Sequence, residues 1–221
     1  MTTPSPSPHG ISGWIEAALF VVAIAILSIS YAIGSQFNAH PIAFILIAMV
    51  TSSTILLATT GFGSDARAII ATPLSWVVGT LTILLEVFYY MLLTYVPPAP
   101  GSVLVRFSIP MAIVIAWLVF HRRPRALAVI GGAMVLAACT SVWLGFSDAQ
   151  RLPAILAGVG SALSFVGRNF ASERHPWNRP GASVYDKLRF TGIVVMITSI
   201  VGVAATALAG GLIAAGILPQ T

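Results

Sequence analysis

The chain has 221 residues, 57% of them hydrophobic and only 8% charged, with a formal charge of +5 and a mean hydropathy of +0.95. Soluble domains are about one-quarter charged, and so few charges cannot cover the surface of a soluble protein of this size. The composition excludes soluble, disordered and disulfide-scaffold chains and leaves an all-α polytopic membrane protein.

The expected elements follow in chain order. Residues 1–13 form a polar tail, rich in Ser, Thr and Pro and free of Lys and Arg, unlike a secretory signal. A bilayer crossing needs about 20 apolar residues, so the chain holds about seven. The runs are Trp14–Ile33, Ile42–Thr59, Ala68–Val96, Pro98–Phe120, Ala126–Phe146, Leu152–Ala171 and Leu188–Leu218. Each break between them holds Pro, Gly or charge. Most loops are short, which makes sequential helices antiparallel neighbours. The third and seventh runs exceed the bilayer and are expected to tilt or project. Cys139 stands alone inside an apolar run, so no intrachain disulfide forms.

Basic residues set the orientation. Arg67, the Arg122, Arg123 and Arg125 cluster, Arg168, Arg174, Arg179, Lys187 and Arg189 all fall on one side; the other side has only Arg151. This puts the N-terminus in the cytoplasm and the C-terminus in the periplasm. The Arg- and Ala-rich composition points to a bacterial inner membrane.

Nucleotide motifs are absent: Lys187 has no phosphate-loop context, and Leu163 fills the third position of the pattern begun by Gly158-Val159-Gly160. In a span such small residues allow close helix packing. His9, His40, His121 and His175 lie in the tail or loops without paired spacing. Neither a metal site nor a nucleophile–base set at membrane depth is expected. The reading is therefore a non-enzyme without a cofactor.

Glu86 and Arg106 lie well inside spans, where a charged group is costly. Glu86 precedes the turn at Pro97 by about 16 Å of helix and Arg106 follows Pro98 by about 12 Å, at 1.5 Å per residue. Matched depth on adjacent helices predicts an ion pair. Ser75, Gly79, Thr82, Glu86 and Tyr89 or Tyr90 recur along one face of the third span; Ser102, Arg106, Pro110 and Trp117 share a face of the fourth. Two readings stay open. In one, Glu86 and Arg106 anchor a substrate in a cavity walled by Trp76, Tyr89 and Tyr90; in the other, the pair only fixes helix register. Pro110 is expected to kink the fourth helix, as a gate or as a static bend. Gly202, Thr206, Gly210 and Ala214 make a small-residue strip on the last span that suits close contact with another helix.

The run from Tyr90 through Pro97-Pro98-Ala99-Pro100-Gly101 to Arg106-Phe107-Ser108-Ile109-Pro110 resembles the third-to-fourth helix passage of the EamA group in the drug/metabolite transporter superfamily. The Arg122-Arg123-Pro124-Arg125 turn, the following Gly131-Gly132 and the His40-Pro41-Ile42-Ala43-Phe44 entry to the second span are also similar. The resemblance runs from about His40 to Val142. It implies export or exchange of small metabolites, often amino acids or related compounds, by two inverted five-helix repeats around a central cavity. On that pattern residues 14–146 form a first repeat and 147–221 two helices of a second.

The leading expectation is an inner-membrane transporter-like protein that moves a small metabolite by alternating access, with lipid and solute but no nucleic acid as partners. The alternative is a non-transporting membrane subunit packed against a larger complex. With no eighth helix to meet the strip on the last span, a second copy or another membrane subunit is expected there.

Overall fold

The computed structural model describes residues 13–37, 39–178 and 183–214. The polar tail expected over 1–13 falls outside them save for Gly13, as does the end of the seventh span beyond 214. All regular structure among the described residues is helical: α1 (Gly13–Gln36), α2 (Pro41–Thr60), α3 (Ala66–Ala71), α4 (Pro73–Tyr95), α5 (Pro98–Val105), α6 (Ser108–Leu118), α7 (Ala126–Leu144), α8 (Asp148–Glu173) and α9 (Val184–Ala214). Among them, α2, α4, α5 together with α6, α7, α8 and α9 give six helices long and apolar enough to cross a membrane. α1 adds the shorter apolar stretch Val21–Gln36. Large apolar side chains stay exposed around the outside, Met134 at 69% and Ile47 at 64%. In water such a surface would drive association; a bilayer covers it. The chain is a multi-pass membrane protein.

Proline places several helix boundaries. Pro41, Pro73 and Pro98 open α2, α4 and α5 in the first turn, where a missing N–H leaves no intrahelical bond unmade. α8 opens with a capping box between Ser147 and Gln150. α2 stops at Gly61, whose φ of 70° suits a residue without Cβ.

Two spans expected to be continuous are divided, each at the point where a proline ring meets the carbonyl four residues earlier. The third run, Ala68–Val96, is not one long tilted helix. Pro73 ends α3 and leaves the carbonyls of its last turn without backbone donors. Side chains from the new helix take them: Ser75 Oγ donates to Ile69 O at 2.6 Å and Trp76 Nε1 to Ile70 O at 3.0 Å. In the fourth run Pro110 cannot donate to Arg106 O. Ile109 N–H does so instead at 2.8 Å, and tight bonds from Arg106 N–H to Val103 O and from Phe107 N–H to Leu104 O complete the break between α5 and α6.

α4 is the central helix and touches α1, α2, α3, α5, α8 and α9. α2, α3 and α9 pack on one side of it, α5 to α8 on the other. Thus α8 and α9, assigned above to a partial second repeat, pack directly on a helix of the first. Missing side chains make this possible. A Cβ at Gly160 of α8 would sit 2.8 Å from the Phe88 ring, and one at Gly79 of α4 would collide with Thr198 of α9. The core falls into two apolar clusters. One joins Tyr31, Ile45, Tyr90, Leu92 and Ala154; the other joins Leu57, Ile69, Val78, Phe190 and Ile193.

Three of the bases counted above, Arg122, Arg174 and Arg189, make contacts between helix ends. Arg122 forks onto Glu173 at 2.7 and 3.1 Å, Arg174 lies 4.6 Å over the Phe120 ring, and Arg189 donates to Thr60 O. These contacts tie the end of α6 to that of α8, and the end of α2 to the start of α9.

Candidate functional site

The polar stripe of α4 turns inward. Ser75, Gly79, Tyr89 and Tyr90 are buried; Thr82 and Glu86 are half-buried. α8, packed against it, carries a second stripe at helical spacing: Ser161 and Ser164, both buried, then Arg168 and Ser172, both half-buried. The sequence reading did not pick out this second stripe. Its signal is visible in retrospect as polar residues at three- and four-residue steps through an otherwise apolar helix. Ser161 Oγ on α8 and Ser199 Oγ on α9 are buried without a hydrogen-bond partner among the described residues. The bundle interior therefore holds unspent polar capacity.

Glu86 is held from α1. Tyr31 Oη donates to Glu86 Oε2 at 2.8 Å, and the Tyr31 side chain is only 2% exposed. Its ring meets Phe44, Tyr89 and Tyr90 with centroids 5.8–6.0 Å apart. Ser28 donates its proton to Ile24 O at 2.8 Å, so in the bond between Tyr89 and Ser28 the tyrosine is the donor.

The expected Glu86–Arg106 pair is not formed. The ion pairs among the described residues are Arg122–Glu173, Arg151–Asp148 and Arg189–Asp186. Arg106 is exposed. The expectation carried one helical periodicity through residues 102 to 117, and the turn imposed by Pro110 changes the phase at Arg106 itself. The cation on the inner side is Arg168, half-buried on α8, the helix packed against α4. Gly167 lies against Leu81, which puts the Arg168 backbone roughly 9 Å below Glu86 along the axis. Side chains lean toward the N-terminus of their helix, so Arg168 leans toward Glu86. In the sequence Arg168 stands among the basic residues that set the orientation, at a helix end.

Arg168 also lines a cleft of about 290 Å³ between α4, α8 and α9, with Thr82, Asn169, Ser172, Phe190 and Thr191 among its walls. Three of the expected wall residues lie elsewhere. Trp76 is 37% exposed, with its indole N–H spent on Ile70 O. Tyr90 is fully buried and donates to Ala39 O at 3.2 Å. Tyr89 points to Ser28 on α1. Glu86 sits behind the cleft rather than in its wall.

His175, read as a plain loop residue, is 3% exposed. Its Nδ1 accepts Trp177 N–H at 3.2 Å, so Nε2 carries the proton and donates to Ser75 Oγ at 2.9 Å. Ser75 passes its own proton to Ile69 O. The ring packs on Phe190, a cleft residue, at 4.5 Å. Burial holds the imidazole below the ordinary histidine range. No group of three His, Cys, Asp or Glu side chains comes together among the described residues.

The strip on α9 divides. A Cβ at Gly202 would meet Leu46 of α2 at 2.7 Å, so this glycine packs inside the chain, against α2. Thr206 is exposed and bonds back to Gly202 O. A Cβ at Gly210 would meet no atom of another described element within 4 Å, and the Ala214 side chain lies outside the described residues. No family model, no curated protein and no solved structure matches the chain.

Proposed function

We propose that the chain is an EamA-like membrane transporter that moves a small polar metabolite by alternating access. The basic end of the bundle faces the cytoplasm, as the positive-inside rule directs. The observation that carries the reading is the opposed pair Glu86 and Arg168 on packed spanning helices, beyond ion-pair reach, with Arg168 in the wall of a cleft. Charges kept apart inside spans are expensive and mark solute or ion pathways by default. A pair kept for register alone would close onto itself.

The test is counterflow in proteoliposomes. Full-length chain is reconstituted with a panel of unlabelled metabolites inside and labelled solutes outside. The reading expects labelled uptake for at least one solute class, abolished in Glu86→Ala and Arg168→Ala. Uptake equal to protein-free vesicles across the panel sinks it.

One observation favours the second reading, a non-transporting membrane subunit. The far half of α9 has Thr206 and Gly210 exposed, with no described residue where a Gly210 Cβ would point, and Leu208 66% exposed. Copurification of a second polypeptide in mild detergent, with no counterflow, would favour that reading.

A further inference from the structure

The charge inside the cleft says what it would hold. Its wall contains one arginine and no acid: Arg168 stands with Thr82, Asn169, Ser172 and Thr191 among apolar side chains. The guanidinium has five N–H donors. One reaches Asn169 Oδ1, at a long 3.4 Å, and the Phe165 ring lies 5.2 Å below its Cζ. Glu86 is beyond ion-pair distance and has one oxygen engaged by Tyr31. The Ser172 hydroxyl has no hydrogen-bond partner among the described residues; only its backbone carbonyl is used. The site therefore offers a positive fork and a free hydroxyl donor in low-dielectric surroundings, which focus the field on an anion.

We propose that this cleft takes a small organic carboxylate, gripped by the Arg168 fork with the Ser172 hydroxyl as a second donor. The proposal rests on the reading of the cleft as the solute site, and it adds the ligand's charge and head group. A planar fork matches the two oxygens of a carboxylate. The volume of about 290 Å³ holds on the order of ten water-sized groups, so the ligand is a small acid. A cation would meet Arg168 without a counter-charge in the wall.

The experiment uses the full chain in detergent at constant ionic strength. The probes are three acids with their neutral amides: acetate with acetamide, lactate with lactamide, benzoate with benzamide. Inorganic phosphate and chloride serve as further anions. Thermal midpoints and titrated affinities are read. At least one acid is expected to raise the midpoint while its amide does not. Arg168→Gln is expected to weaken that acid about ten- to a hundredfold, the worth of charge-assisted hydrogen bonds. Arg168→Lys should fall between, and Arg125→Gln should match wild type. Equal binding of acid and amide, a shift that survives Arg168→Gln, or no shift from any acid overturns the proposal. Phosphate or chloride acting as strongly as the acids through Arg168 overturns the carboxylate assignment. Should Arg168→Gln fail to fold, the wild-type acid–amide contrast and Arg168→Lys still decide. Arg168-dependent acid binding without counterflow would uphold the site and sink transport. Counterflow of neutral solutes with no preference for acids would do the reverse.

Discussion

Replacing Tyr31 with Phe removes one oxygen and leaves the ring in place against Phe44, Tyr89 and Tyr90. What is lost is the 2.8 Å bond to Glu86. Interhelical hydrogen bonds in membrane proteins average about 0.6 kcal/mol and reach about 1.7. A charged partner roughly doubles such a bond, so the coupling here is expected at about 1–3 kcal/mol. A double-mutant cycle isolates it, with Tyr31→Phe, Glu86→Leu and the double variant unfolded reversibly in mixed detergent. Each single variant strands one buried polar group; the double removes both. The double should therefore be less destabilised than the sum of the singles by that coupling. Additivity within about 0.3 kcal/mol would mean that α1 does not hold Glu86, and the polar cluster would lose its anchor. The parallel cycle of Glu86→Leu with Arg106→Gln tests the correction to the expected pair. It should be additive within about 0.5 kcal/mol, and a larger coupling would restore the pair.

Gly160→Val drives a side chain into the Phe88 ring and should destabilise by about 1–3 kcal/mol in the same unfolding assay. Gly210→Ala meets nothing and should stabilise by up to about 1 kcal/mol through helix propensity; a loss there would show that Gly210 has a close neighbour. His175 is neutral in the fold and its pKa lies below the unfolded value of about 6.5. The unfolded chain therefore binds the extra proton first. The histidine's contribution is intact above about pH 6.5 and is lost as pH falls from there through the folded value, so His175→Gln should flatten the acid limb of a stability–pH curve. An unchanged limb would clear His175 of that role. A reporter fused after Thr221 should be active only outside the cytoplasm, because α9 starts at the basic end and crosses once; cytoplasmic activity would contradict the orientation.

Much of the fold was legible because spanning helices announce themselves by length and apolarity. The runs at Ile42–Thr59 and Ala126–Phe146 lie within a residue or two of α2 and α7. The prolines were harder. Pro73 sits in an unbroken apolar run, and hydropathy does not register the missing donor that splits the run into α3 and α4. Pro110 was read as a kink, yet its effect falls four residues upstream, on the residue whose pairing was being argued. That is why the depth of Arg106 was reasonable and its direction was not. Arg168 was overlooked for a different reason. Five residues from the end of α8, it fits a topology marker, and only the packing of α8 on α4 turns it inward. The aromatic character of Trp76 suits a cavity wall, but an orphaned carbonyl at the end of α3 claims its N–H. His175 could not be found from spacing, because its partners Ser75 and Phe190 are distant in sequence.

The central claim is that an aqueous solute site opens between α4, α8 and α9 at the basic end. Cysteine accessibility tests it most directly, since Cys139 is the chain's one cysteine and can be replaced by Ser. On that background, Thr82→Cys and Ser172→Cys report on the cleft and Met134→Cys on the outer surface of α7, where Met134 is 69% exposed. A membrane-impermeant maleimide is applied to inside-out vesicles and, separately, to right-side-out ones. The account predicts fast labelling of both cleft positions from the cytoplasmic side, slow labelling of Met134→Cys, and protection of the cleft by a bound solute. Cleft cysteines that label no faster than Met134→Cys from either side would contradict it.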